Sequence, residues 1–194
     1  YLFNRTYKLK KGDTILFHAA AGGVGLIAMQ WAKAIGATVI GTVGSEEKAE
    51  LARRHGCDHT ILYRSENVPQ RVREITNGKM VPVVYDSVGK DTFEASLASL
   101  APFGLMVSFG NASGPVPPVP LTALKGSLYI TRPGLMNHTA ERATLLEMAE
   151  DLIGMVSSGK VRIEIDHRYT LAGAAQAHRD LESRRTTGSS ILLP

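Results

Sequence analysis

Short runs of apolar and β-branched residues alternate with stretches of helical spacing along residues 13–110. The runs are apolar almost throughout, which is typical of strands that are covered on both faces. Because parallel strands need a crossover connection, this order predicts an α/β protein built around a doubly wound parallel sheet. The predicted strands are Thr14–His18, Thr38–Val43, Thr60–Tyr63, Val81–Tyr85 and Gly104–Phe109, and the predicted helices are Val24–Ile35, Glu46–His55, Val68–Thr76 and Thr92–Leu100.

The second half of the chain departs from this pattern. A stretch at Asn111–Pro120 holds four prolines, which excludes a helix interior or a central strand and predicts a long connection. Residues 160–194 do not continue the strand–helix rhythm, so we predict one domain at residues 1–159 and a separate C-terminal segment at 160–194. The elements predicted after the loop are strand Ser127–Thr131, helix Ala140–Ser157, strand Val161–Ile165, helix Leu171–Arg184 and strand Ser190–Leu193.

Composition and charge disfavour several classes of protein. No apolar run approaches the ~18 residues that a membrane span needs, and no signal peptide opens the sequence. The net charge is +4, but Lys and Arg are scattered in pairs rather than concentrated in a basic tract, which disfavours nucleic acid as a partner. The single cysteine, Cys57, excludes an intrachain disulfide and predicts a reducing, cytoplasmic location.

A glycine-rich turn follows the first predicted strand and leads directly into the first predicted helix. It is formed by Gly22, Gly23, Val24 and Gly25. Glycines let a backbone approach a pyrophosphate closely, and the helix N-terminus supplies free N–H groups and a positive dipole end. The spacing differs from the full G-x-G-x-x-G, but its position at the first strand–helix turn predicts a Rossmann-type dinucleotide site.

The second predicted strand indicates which dinucleotide is bound. In NAD sites an acidic residue at its end accepts hydrogen bonds from the ribose 2′-OH. Here Thr38–Gly44 ends without a carboxylate, and Glu46 and Glu47 are expected to open the next helix instead. Lys48 and Tyr63 lie where a cation and a phenol would suit a 2′-phosphate. The pattern therefore favours NADPH over NADH.

The motifs taken together resemble the quinone oxidoreductases of the medium-chain dehydrogenase/reductase superfamily, which are zinc-independent and zeta-crystallin-like. The resemblance covers essentially the whole chain. It is carried by His18-Ala-Ala-Ala-Gly-Gly-Val-Gly25, Val84-Tyr-Asp-Ser-Val-Gly89, Val107-Ser-Phe-Gly-Asn111, Gly126-Ser-Leu-Tyr-Ile-Thr-Arg-Pro133 and the closing Gly188-Ser-Ser-Ile-Leu-Leu-Pro194.

This resemblance implies roles for individual residues. Gly23 and Val24 would lie under the pyrophosphate. The residues implied around the adenosine ribose and its 2′-phosphate are Gly44, Ser45, Lys48, Tyr63 and Arg184. Ser87 would line the cofactor cleft. The residues implied at the nicotinamide end are Tyr1, Phe109, Gly110, Asn111, Ala112, Pro133, Gly134 and Leu135.

The resemblance also implies that the chain is a piece of a longer enzyme. Family members begin with a GroES-like catalytic domain that supplies most of the substrate pocket, and residues 160–194 would pack with it. Hydride would pass from NADPH to a quinone or related conjugated carbonyl. The family pairs its cofactor domains into homodimers through the edge strand near Ser127–Thr131.

Three expectations concern residues that carry no assigned chemistry. We identify no Ser-His-Asp arrangement, no metal site and no catalytic acid in the sequence. His18 is expected to be a hydrogen-bonded core residue, and Asp86 to lie near the cleft without a catalytic role.

Two alternative functions remain, an enoyl or alkenal reductase of the same superfamily and a non-catalytic, NADPH-regulated RNA-binding or lens-structural protein.

Overall fold

The computed structural model describes residues 1–183 and 186–194. Its strands are β1 (Thr14–Phe17), β2 (Thr38–Val43), β3 (His59–Leu62), β4 (Val81–Asp86), β5 (Leu100–Ser108), β6 (Tyr129–Thr131), β7 (Ile165–Thr170) and β8 (Ser189–Leu193). Its α-helices are α1 (Gly23–Ile35), α2 (Glu46–Arg54), α3 (Val68–Ile75), α4 (Phe93–Ala98), α5 (Leu135–His138), α6 (Arg142–Ser157) and α7 (Ala174–Glu182). A π-helical turn spans Leu2–Thr6, and 3-10 turns span Leu121–Ala123 and Leu171–Gly173.

Six of the strands form one parallel sheet in the order β3-β2-β1-β4-β5-β6. The order reverses between β1 and β4, where Ile15 pairs with Val39 of β2 on one side and Val83 of β4 on the other. This is the doubly wound topology in which ligands bind beyond the carboxyl ends of the strands at the reversal. The predicted Rossmann-type fold is confirmed.

The core lies on both faces of this sheet because neighbouring side chains of a strand point to opposite faces. Ile15 and Phe17 pack on one face with Met29 of α1. Leu16, between them, packs on the other face with Val72 of α3. The apolar runs that predicted these strands are therefore covered by helices on both sides.

The C-terminal segment is built differently from its prediction. Strands β7 and β8 pair in parallel in a second sheet, and α7 connects them. The predicted helix and final strand are found as α7 and β8, but the prediction that the strand–helix rhythm stops after residue 160 is wrong, because β7, α7 and β8 repeat it in the second sheet. The predicted strand Val161–Ile165 is also wrong, because pairing with β8 begins only at Ile165. Val161 instead is buried, and its N–H donates to the carbonyl of Met155 to close α6.

The outer parts of the chain carry two more differences. The loop predicted at Asn111–Pro120 contains no helix or strand, as expected. The helix predicted at Ala140–Ser157 begins at Arg142, and a separate short helix, α5, precedes it. Within the two described ranges, no helix is both long enough and apolar enough to cross a membrane.

Candidate functional site

The loops at the carboxyl ends of the six parallel strands meet along one edge of the sheet. All but two of the predicted site residues lie in these loops or in the helix turns that follow them: Gly22, Gly23, Val24 and Gly25 after β1, Gly44, Ser45 and Lys48 after β2, Tyr63 after β3, Ser87 after β4, Phe109, Gly110, Asn111 and Ala112 after β5, and Pro133, Gly134 and Leu135 after β6. Tyr1 precedes the N-terminal turn, and Arg184 lies outside the described residues.

The glycine turn leaves the first turn of α1 open. Gly22 is its N-cap residue and has no side chain that could cap the helix N-terminus. A Cβ on Gly25 would overlap the carbonyl oxygens of Ala19 and Ala20, so only glycine lets the helix pack this closely on the turn. Val24 is 56% exposed although it is apolar. The turn therefore presents backbone N–H groups and an accessible surface that suit a phosphate.

The end of β2 gathers the residues predicted for a 2′-phosphate. Ser45 caps α2, and its Oγ accepts a hydrogen bond from Lys48 N at 3.3 Å. A Cβ on Gly44 would lie 2.9 Å from the Tyr63 hydroxyl, so the phenol of Tyr63 leans over the backbone after β2. Glu46 and Glu47 occupy the first turn of α2, as predicted. The structure thus places Ser45, the phenol of Tyr63 and the backbone of Lys48 beside the end of β2.

The loops after β4 and β5 are locked against each other. A Cβ on Gly110 would lie 2.5 Å from the carbonyl oxygen of Ser87, and the same oxygen accepts a hydrogen bond from Ala112 N at 3.1 Å. The ring of Phe109 contacts that of Phe17, with centroids 5.8 Å apart. Ser87, Phe109, Gly110 and Ala112 therefore form one continuous wall beside the point where the strand order reverses.

The far end of this wall is closed by residues around Tyr1. Its ring lies 4.9 Å from that of His138, centroid to centroid, just after the loop that holds Pro133 and Leu135. The pKa of the Tyr1 hydroxyl is raised, because burial raises it more than the charge of Arg132 lowers it. Arg132 in turn donates from Nη1 to the carbonyl of Ser108 at 3.0 Å. Sequence reasoning placed Tyr1 here but gave no role to His138 or Arg132.

The segment before β8 crosses the glycine turn, which the sequence did not reveal. Gly188 N donates to Ala21 O at 3.1 Å, and Gly188 pairs with Gly22 as an isolated bridge. The Nζ of Lys48 lies 3.3 Å from Thr186 O. Gly188 has a φ of +53°, and a Cβ there would overlap the carboxylate of Asp166. The only sequence signal was a glycine at the start of the last strand.

His18 is a hydrogen-bonded core residue, as predicted. Its Nδ1 lies 3.0 Å from Thr42 Oγ1 and its Nε2 lies 3.0 Å from Ser96 Oγ. Ser96 in turn donates to Asp86 at 2.7 Å. Serine, histidine and aspartate therefore meet in the core, in an arrangement that the sequence did not reveal. The serine lies between the other two and is fully buried, so this set cannot attack a substrate as a nucleophilic triad does.

The described residues offer no place for a metal ion. No three His, Cys, Asp or Glu side chains among residues 1–183 and 186–194 lie close enough to hold one. Cys57, the one cysteine of the sequence, is buried, and burial raises the pKa of its thiol to about 12. These residues do not fit a zinc site, and no step through zinc is derived below.

The strand order, the glycine turn and the walls around it define a Rossmann-type domain. The family of zinc-binding dehydrogenases matches the chain over residues 23–151. The chain belongs to this family.

Relatives and solved structures agree on the family. A quinone oxidoreductase of Pseudomonas aeruginosa is 60% identical over 196 residues, which are 100% of this chain and 60% of that protein. The crystal structure of Escherichia coli quinone oxidoreductase complexed with NADPH is 52% identical, with a TM-score of 0.98, over 100% of this chain and 61% of that one. A 2-haloacrylate reductase of Burkholderia is 46% identical over 100% of this chain and 59% of that protein. The chain therefore spans about 60% of the length of these relatives.

Proposed function

We propose that this chain binds NADPH at the carboxyl edge of its sheet. In the whole protein, hydride would then pass from NADPH to a quinone or a related conjugated carbonyl. The observation that carries the proposal is the glycine turn at the start of α1 beside β2, a strand that ends without an acidic residue and is followed by Lys48 in α2. The TM-score of 0.98 to an NADPH complex of a relative supports it.

The phosphate groups decide the fit of the dinucleotide. The N–H groups of Gly23 and Val24 at the start of α1 would hold the pyrophosphate, because an anion is stabilised at a helix N-terminus, and the buried Gly25 would let the turn pack beneath it. Lys48, with the hydroxyls of Ser45 and Tyr63, would hold the 2′-phosphate through charge-assisted hydrogen bonds. An acid at the end of β2 would repel that phosphate, and none is present.

The nicotinamide end would lie against the wall formed by Ser87 and Phe109–Ala112 and the turn Pro133–Leu135. NADPH supplies the hydride, and the chain's own residues orient it and exclude water. Reduction of a quinone to a hydroquinone also consumes protons. We assign no residue of this chain to their delivery, since relatives extend well beyond the residues that this chain spans.

A second candidate function is reduction of a conjugated carbon–carbon double bond, as in an enoyl or alkenal reductase. The similarity to a 2-haloacrylate reductase, at 46% identity and a TM-score of 0.91, favours it specifically. Steady-state rates of the whole protein with a benzoquinone and with a 2-haloacrylate would separate the two. A higher kcat/KM for the quinone is expected, and a higher value for the haloacrylate would select the alternative.

The cofactor proposal is tested by calorimetric titration of the chain with NADPH and NADH. Wild type is expected to prefer NADPH. Lys48→Ala should weaken NADPH binding by roughly 10- to 100-fold, as for the loss of a hydrogen bond to a charged group, and leave NADH unchanged.

Lys79→Ala is the matched control, because Lys79 is exposed and precedes β4 at the opposite edge of the sheet. It should bind both nucleotides like wild type. Equal or tighter binding of NADH by wild type would contradict the proposal, as would a Lys79→Ala effect as large as that of Lys48→Ala.

The C-terminal segment is proposed to complete a second domain. In residues 160–194 the side chains of Ile163, Ile165 and Leu181 are exposed although they are apolar. Such residues usually mark a surface that another part of a protein covers. We propose that these side chains are covered by the part of the relatives that this chain does not span. The boundary between the cofactor-binding domain and the C-terminal segment would then lie near residue 160.

The edge of the sheet at β6 is proposed to join two copies of the chain. Tyr129 and Ile130 are exposed, and an open edge strand offers unpaired backbone groups to another strand. Ile130→Pro and Ile130→Lys should both yield monomers by light scattering. A dimer that persists in both variants, or a monomeric wild type, would remove β6 from the interface.

We also propose a cytoplasmic location. Cys57 is free and buried, which fits a protein that needs no oxidising compartment. Cell fractionation with compartment markers would test this, and recovery in a periplasmic or secreted fraction would contradict it.

A further inference from the structure

Four buried polar side chains form a continuous chain under the proposed cofactor site. Asp86 at the end of β4 accepts from Ser96 of α4, Ser96 contacts His18 after β1, and His18 contacts Thr42 of β2. At most 2% of any of these residues is exposed. The function proposed above gives none of them a role.

The direction of these hydrogen bonds follows from Asp86. A carboxylate only accepts, so the Ser96 hydroxyl donates its one proton to Asp86 and must accept from His18. Nε2 of His18 therefore carries the proton, and Nδ1 accepts from the Thr42 hydroxyl. Burial lowers the pKa of His18 while Asp86 raises it, and the net shift is downward, so the ring is neutral at pH 7.

Thr42 connects these side-chain hydrogen bonds to the backbone of the glycine turn. Its hydroxyl oxygen accepts from Ala19 N at 3.4 Å, and its carbonyl accepts from Ala20 N at 3.1 Å. Ala19 has a φ of +56°, a conformation that non-glycine residues adopt only with strain. The Ala19 carbonyl then accepts from Gly22 N at 3.0 Å and packs directly on Gly25. The conformation of Ala19 therefore sets the shape of the glycine turn.

The other end of the network holds the opposite wall of the cleft. Asp86 accepts from the N–H groups of Val88 and Gly89 at 2.8 and 3.0 Å, which orders the loop that begins at Ser87. One set of contacts therefore joins the pyrophosphate turn after β1 to the loop after β4, across the point where the strand order reverses.

We propose that His18 is a positioning residue for the pyrophosphate site, held as the Nε2–H tautomer between Ser96 and Thr42 so that Thr42 fixes the strained Ala19. This inference rests on the proposed NADPH function. It assigns His18 no proton transfer, because the ring touches neither the cofactor site nor solvent. It predicts that weakening the network harms binding at the pyrophosphate and spares the 2′-phosphate pocket.

The test compares two ligands in variants that break the network at either side of His18. Thr42→Val and Ser96→Ala should each weaken NADPH binding about tenfold, as for the loss of a buried hydrogen bond. Both should bind adenosine 2′-monophosphate as wild type does, because this ligand would reach only the proposed 2′-phosphate site at Lys48. Thr42→Ser retains the hydroxyl and should restore NADPH binding.

Ser99→Ala is the matched control, since Ser99 is also fully buried and its hydroxyl donates to the carbonyl of Ala95 within the same turn of chain. It should leave both affinities unchanged. Equal weakening for the two ligands, or a Ser99→Ala effect as large as that of Ser96→Ala, would reduce the network to a structural role and overturn the proposal.

A second measurement needs no variant. Nitrogen NMR of the His18 ring should show a protonated Nε2 and an unprotonated Nδ1, and the opposite tautomer or a charged ring would overturn the assignment. If wild type binds no NADPH, the proposed function fails. If it binds NADPH and all network variants bind equally well, only the role of His18 fails.

Discussion

The central strands of the six-stranded sheet bury nearly every side chain, whereas α6, α7, β7 and β8 bury none of theirs. Both regions have apolar residues at regular spacing. In the sheet, helices of the same chain cover both faces. In α6, Leu145, Leu146 and Ile153 remain at least 42% exposed. The difference shows that a local pattern predicts an element, while its burial depends on what lies opposite.

The weakly buried C-terminal region contacts the N-terminal turn and the glycine turn. Arg5 pairs with Glu147 of α6 at 2.6 Å, which ties the N-terminal turn to that helix. Gly188 lies on the glycine turn through its bridge with Gly22. The weakly buried region therefore contributes to the proposed cofactor site, although the strongly buried one supplies the framework.

The largest difference in stability is expected between two leucines. Leu16 in β1 is fully buried and Leu152 in α6 is 39% exposed. Leu16→Ala should lower the free energy of unfolding by roughly 2–5 kcal/mol, because it leaves a cavity in the core. Leu152→Ala should cost less than about 1 kcal/mol. Urea unfolding measures both, and similar costs at the two sites would refute the contrast.

Adding one methyl group to the glycine turn should have the next largest effect. In Gly25→Ala the new Cβ overlaps the carbonyl oxygens of Ala19 and Ala20, so the turn must open. We expect a loss of about 1–3 kcal/mol in urea unfolding, as for overpacking, together with loss of NADPH binding. If Gly25→Ala is as stable as wild type, the close packing at this turn is not needed.

The same substitution in α6 should act in the opposite direction. A Cβ on Gly154 meets no atom within 4 Å, and the position lies inside a helix. Gly154→Ala should therefore raise the free energy of unfolding by up to about 0.5–1 kcal/mol through helix propensity. Destabilisation would show that this face of α6 is more crowded than the structure indicates.

Most of the sheet could be predicted from the sequence because the strands are short apolar runs with helical stretches between them. The boundaries were less accurate where tertiary contacts decide them. Strand β5 begins at Leu100 rather than Gly104, since Leu100 pairs with Val81 before a bulge. Val161 is a β-branched residue of the kind that favours strands. It is held instead by the hydrogen bond from its N–H to Met155 O, which closes α6.

The site was predictable where one loop carries the chemistry, and not where distant segments meet. Gly22–Gly25 and Lys48 could be proposed from the sequence because each follows a predicted strand within a few residues, and the structure places them after β1 and β2. The contact of Gly188 with Gly22 joins opposite ends of the chain, and no local pattern announces it. The arrangement of Thr42, His18 and Ser96 likewise depends on how strands and a helix pack. His18 was correctly predicted to be a hydrogen-bonded core residue, but its hydrogen-bond partners were not predicted.

Hydrogen exchange of the chain with and without NADPH tests the central claim most directly. If the cofactor binds at the glycine turn, next to the segment before β8, amides of residues 22–26 and 186–189 should exchange more slowly when it is bound. The amides of Arg142–Ser157 in α6 should not change, because that helix lies outside the proposed phosphate site. Protection of α6 alone, or no protection at residues 22–26, would contradict the account.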